Sequence, residues 1–162
     1  MKTFGILLVS AVAALLAGCA APSHTVVSQQ VGPDLARPRI NAGAGQGRLV
    51  VYTATELLDP VAYFPTHGSY AIYKEDGALL RRVDNRSGTF DQEPIAVSLP
   101  AGAYKIKGRA TNAGEIEATV IVAENKTTIV DLQGATLPQH KPTGAGQWVR
   151  LPDGKVIGMR YE

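Results

Sequence analysis

The chain has 162 residues, enough for one domain with a real core and short appendages. Aromatics make up only 6%, while 17 glycines and 10 prolines favour short strands and many turns over long helices. The formal charge is +2, or +1 without Lys2, with no long run of one sign. That balance excludes the concentrated basic field on which nucleic-acid binding depends.

The N-terminus carries the first signal. Met1-Lys2 is a short positive start, and residues 4–17 are apolar except for Gly5 and Ser10. Small residues then surround Cys19, the only cysteine. A positive n-region, an apolar h-region and a small-residue cleavage zone make a secretory signal peptide over residues 1–18. An uncleaved span needs about 20 apolar residues, more than this run supplies before Pro22.

Leu16-Ala17-Gly18-Cys19 resembles the lipobox of bacterial lipoproteins: an aliphatic residue, two small residues, then cysteine. The resemblance implies cleavage between Gly18 and Cys19, a diacylglycerol on the thiol and acylation, palmitate included, of the new amine. It makes Cys19 a membrane anchor, and several acyl chains, at about 0.8 kcal/mol per buried methylene, hold far more firmly than one. Ala20 stands where an aspartate would commonly signal inner-membrane retention, so the resemblance implies outer-membrane sorting, facing the periplasm.

Residues 19–47 read as a lipid-anchored tether, broken by Pro22, Pro33 and Pro38 and loosened by Gly43, Gly45 and Gly47. Flexible throughout, it would reach roughly 30 Å r.m.s.. An alternative lays residues 31–40 as an extended strand along the domain edge. "GAGQG" matches neither G-x-G-x-x-G nor the P-loop spacing, so it reads as a hinge.

From residue 48 the hydrophobic period is two. Strands are expected at 48–55, 69–74, 79–84, 95–99, 104–109, 115–122 and 127–132. They are separated by Asp76-Gly77, Pro100-Ala101-Gly102, Asn112-Ala113-Gly114 and Glu124-Asn125-Lys126. Seven short strands at this spacing predict an all-β antiparallel β-sandwich over 48–134. One hairpin register follows from charge. Arg109 opposite Glu115 sets Lys107 against Glu117 on one face, and Ile106 against Ala118 and Tyr104 against Val120 on the other. The basic row Lys105, Lys107 and Arg109 then reads as a charge-paired, solvated face. Carried forward, the same logic places Val120 opposite Val130, Val122 opposite Thr128 and Ile121 opposite Ile129, the last pair wanting a cover from the C-terminal tail. Residues 135–162 read as a linker and a hairpin packing on the sandwich, with strands at 148–151 and 155–161 around Pro152-Asp153-Gly154.

Residues 49–133 resemble the carboxypeptidase regulatory-like and transthyretin-like β-sandwich modules, on "YKEDGALL" (73–80), "SLPAGAYKIK" (98–107) and "VAENKTTIVDL" (122–132). The resemblance implies a non-catalytic module that packs, spaces or binds.

No H-E-x-x-H, G-x-S-x-G or paired-cysteine motif occurs, and no cofactor is expected. His67 and His140 with Asp59 are a metal set that nothing in the spacing requires. The reading is a non-catalytic, membrane-anchored envelope lipoprotein that binds or supports another envelope component. A rival is a glycan or cell-wall polymer module using Tyr63, Phe64 and Trp148 as its binding surface. A second rival is a small hydrolase centred on His67 or His140.

Overall fold

The computed structural model describes residues 24–34, 45–56, 65–85, 93–137 and 146–161. They form twelve strands in chain order. β1 is His24–Pro33, β2 Gln46–Tyr52, β3 Thr55–Glu56, β4 Thr66–His67, β5 Tyr70–Lys74 and β6 Leu79–Val83. β7 is Val97–Pro100, β8 Gly102–Ala110, β9 Gly114–Val122, β10 Thr127–Asp131, β11 Gln147–Arg150 and β12 Val156–Tyr161.

The all-β sandwich expected from the period-two pattern is what forms. A seven-stranded sheet runs β11-β12-β1-β9-β8-β5-β6, a three-stranded sheet runs β10-β2-β7, and β3-β4 make a two-stranded ribbon. Alternation builds the interior. Tyr104 and Ile106 of β8 and Ile116, Ala118 and Val120 of β9 are buried, as are Leu49, Val51, Val97, Leu99 and Val130 of the smaller sheet. Between them, Lys105, Lys107 and Glu117 point outward and stay partly exposed. The β8–β9 register is the one derived from charge: Arg109 pairs Glu115, Lys107 pairs Glu117, Ile106 pairs Ala118 and Tyr104 pairs Val120. Asn112 and Asn125 take the left-handed conformation, at φ 65° and 56°, in the turns the sequence marked.

The pairing is mixed rather than purely antiparallel. β1 runs parallel to both β9 and β12, and β10 runs parallel to β2. This overturns the expected β9–β10 ladder, because the chain changes sheets at Glu124–Asn125. β10 pairs with β2 instead, Val130 opposite Val51 and Thr128 opposite Leu49. What remains between β9 and β10 is a hydroxyl bond, Thr128 Oγ1 donating to the Ile121 carbonyl at 2.7 Å. Ile121 is buried and Ile129 is 40% exposed, so the two isoleucines do not form the expected facing pair.

The tether also departs from expectation. His24–Pro33 is a strand of the large sheet rather than a flexible linker, paired with β9 from His24 to Val31 and with β12 at Gly32 and Pro33; of the alternative edge strand at 31–40, residues 35–40 lie outside the described residues. His24 to Val27 pair with Glu115 to Ala118, then Val31 pairs with Val120. Four residues of β1 thus advance against two of β9, a bulge that resets the strand's phase. Gly32 sits at φ 109°, and a Cβ there would overlap the Ile121 carbonyl. Only glycine allows the strand to pass so close. The expected hinge is likewise partly strand, since Gln46 and Gly47 belong to β2.

The C-terminal hairpin forms as expected, but as part of the sandwich rather than as a cover over it. β12 joins the large sheet through Gly32–Arg160 and Pro33–Tyr161, and Asp34 takes the Tyr161 carbonyl by its N–H at 2.6 Å. Val149, Leu151 and Ile157 enter the same core cluster as Val31 and Val120.

Candidate interaction surfaces

The outer face of the large sheet carries the densest charge. Glu117 on β9 lies 3.0 Å from Lys107 Nζ, 3.9 Å from Lys105 Nζ and 3.8 Å from His24 Nε2. These follow from cross-strand register: Lys107 is directly opposite Glu117, and Lys105 is its diagonal neighbour. Lys107 also sits 5.3 Å from the Tyr73 ring centre. The hydrogen bond from Lys107 to Glu117, reinforced by the carboxylate's charge, raises the lysine above its ordinary pKa. Arg109 reaches Glu56 at 3.2 Å. A broad, shallow depression of about 1000 Å³ lies here, lined in part by Tyr73, Arg82, Asp84 and Glu115. Both signs of charge are present and largely paired with each other, as the sequence implied.

A second concavity is smaller and of different chemistry. The C-terminal hairpin and β10 flank an almost wholly apolar groove of about 250 Å³, walled by Trp148, Met159, Ile129, Val31 and Leu137. Trp148 is half-buried in that wall, placed there by pairing with Met159 across β11 and β12. An indole so placed packs against its own fold and still offers an edge to a guest.

His67 is buried. Its Nδ1 donates to the Thr53 carbonyl at 2.7 Å, and its ring meets Tyr52 edge-on at 5.5 Å. Among the described residues no group of three His, Cys, Asp or Glu side chains is placed to hold a metal. His140 and Asp59, the other members of the expected set, lie outside the described residues, as do Gly18, Cys19, Tyr63 and Phe64. Trp148 is therefore the one residue of the expected binding surface whose place is described. No helix among the described residues is long and apolar enough to cross a membrane.

Several buried polar groups near His67 escaped the sequence reading. Asn85 donates to the Val51 carbonyl at 2.7 Å and accepts from the Ile95 N–H at 3.1 Å. Thr53 donates to the Gly68 carbonyl at 2.7 Å. Asp131, fully buried, accepts from the N–H groups of Gly134, Thr136 and Leu137 at 2.6, 2.8 and 3.0 Å. The spacing "DLQGAT" carries that signal, an aspartate able to organise the turn that follows it. Together these contacts satisfy backbone groups where the strands end, so they read as structural.

Tyr52 donates to Glu93 at 3.0 Å, and burial, then that contact, raises its hydroxyl pKa. Burial also raises Tyr70 well above its ordinary value, and its hydroxyl is the one buried side-chain polar atom among the described residues with no partner.

Comparison with protein-family profiles, with curated proteins and with solved structures finds no match to this chain.

Proposed function

We propose that this chain is a lipid-anchored envelope protein whose β-sandwich is a non-catalytic binding or structural module for another envelope component. The observation that carries the reading is the run Leu16-Ala17-Gly18-Cys19 at the end of an apolar leader. The turn motifs that resemble carboxypeptidase regulatory-like modules support a non-catalytic role. The ion pairs on the outer face and the structural contacts of His67 are consistent with it.

The groove beside Trp148 offers almost no polar surface. That chemistry favours an apolar segment of a protein partner over a glycan, whose hydroxyls need hydrogen-bonding groups at the site.

Intact-mass analysis of the chain purified from cell membranes tests the anchor. The expected product begins at Cys19 and carries acyl mass, and Cys19→Ser leaves the membrane fraction. An unmodified thiol in a membrane-bound product would refute the reading. Cross-linking in whole cells from a photoreactive residue at position 148 tests the module. A single recurring envelope partner is expected; only a random spread of neighbours counts against it.

A further inference from the structure

We propose that the sandwich stands end-on against the headgroup layer, with the turn at 111–114 and the adjoining turn at 152–154 as its membrane-facing end. The inference rests on the anchor reading above and goes beyond it, because it assigns the surface that meets the bilayer.

The warrant is the position of β1. His24 pairs with Glu115, the second residue of β9. Four residues lie between Cys19 and His24, and the five Cα-to-Cα steps, fully extended, span at most about 18 Å. β1 is bonded to β9 from His24 onward and to β12 at Gly32 and Pro33, and it buries Val27 and Val31, so it is not free to lengthen the connection. The start of β9 is therefore leashed within that distance of the lipid. The other end of β9 lies eight residues further on, about 26 Å away at strand spacing.

The leashed end is a defined surface. Lys155 Nζ donates to the Thr111 carbonyl at 2.8 Å, which ties the 152–154 turn to the 111–114 turn. Asn112, Pro152, Asp153 and Gly154 are exposed there. Arg109 bonds Glu56, and Lys155, Asp153 and Glu115 belong to the same end, which leaves the two signs close to balance. A polar, nearly neutral end of this kind suits a headgroup layer without requiring anionic lipid. The turns at 76–77, 101 and 124–125 lie at the opposite end, as Lys74–Tyr104 and Gly102–Val122 pairing requires.

The test uses the lipidated protein from membranes, reconstituted in phosphatidylcholine vesicles that contain a headgroup-labelled nitroxide quencher. A fluorescent side chain is encoded at position 112 in one preparation and at position 76 in another. The dye at 112 should lose most of its emission and the dye at 76 should keep it, with no change on adding salt. Inserting a 20-residue Gly/Ser segment between Ser23 and His24 should abolish the difference. Equal quenching of both dyes in protein that floats with vesicles overturns the orientation and leaves the anchor standing. Protein that does not float overturns the anchor reading, and this inference with it.

Discussion

Val26 and Val31 share one short stretch of chain, and substituting each by alanine separates an integrated strand from a linker. Val31 is 1% exposed, pairs with Val120 and fills the space that Gly158 leaves open, where a Cβ would overlap its methyls. Val31→Ala removes two buried methyl groups, about 1.6 kcal/mol in transfer free energy. The partly relaxed hole adds roughly 0.6–1.2 kcal/mol at about 24 cal/mol per Å3. The expected loss is therefore about 2–3 kcal/mol. Val26, five residues earlier, is 62% exposed, so Val26→Ala should stay within about 0.5 kcal/mol of wild type. Urea unfolding followed by far-UV circular dichroism measures both, the signal reporting the whole sheet rather than the neighbourhood of Trp148. A Val31→Ala cost below about 0.5 kcal/mol, or one equal to that of Val26→Ala, would refute the placement of β1 in the core. The membrane orientation would then lose its warrant.

The unpartnered Tyr70 hydroxyl makes Tyr70→Phe a stabilising change of about 1 kcal/mol, since a buried unsatisfied group costs about 1–3 kcal/mol and the gap left is small. For the roughly 100 described residues this corresponds to a Tm rise of about 4–5 °C in a thermal melt, and a lower Tm would contradict it. Burial holds Tyr52, Tyr70, Tyr104 and Tyr161 above their ordinary pKa, so the folded state keeps protons that the unfolded state releases near pH 10. Their contribution is fully present below that pH and is lost as pH rises through it, so urea midpoints should fall above pH 10, less steeply in Tyr70→Phe. Asn85→Ala strands the Val51 carbonyl and the Ile95 N–H and should cost about 2–3 kcal/mol in the same urea assay; less than about 1 kcal/mol would mean those groups find other partners. Glu117→Gln should bring the Lys107 pKa down toward its ordinary value, read by NMR titration, and an unmoved lysine would remove Glu117 as the cause.

Local chemistry made much of the sheet readable. Strand period, turn residues and opposed charges sufficed for β5 to β9, down to the pairing of Arg109 with Glu115. Reading failed where pairing is remote or the phase breaks. "HTVVSQQVGP" has no clean alternation because the bulge between Val27 and Val31 shifts which residues face the core. β10 follows β9 through a tight turn that looks like a hairpin, yet its partner is β2, far back in the chain. Nothing in the local residues announces that change of sheet. The interaction surfaces were less legible still. Charge pairing on the outer face could be inferred, whereas the groove beside Trp148 exists only because β12 meets the end of β1.

The same strand carries a consequence for how the domain assembles. β1 is the earliest strand among the described residues, and its two neighbours, β9 and β12, are the ninth and the last. In a polypeptide that emerges N-terminus first, whether from a ribosome or through a membrane pore, this early segment waits for β9 to follow, and its far end waits for β12. Closure of the large sheet is thus deferred to the end of synthesis or passage. The delay keeps the body threadable for as long as threading lasts.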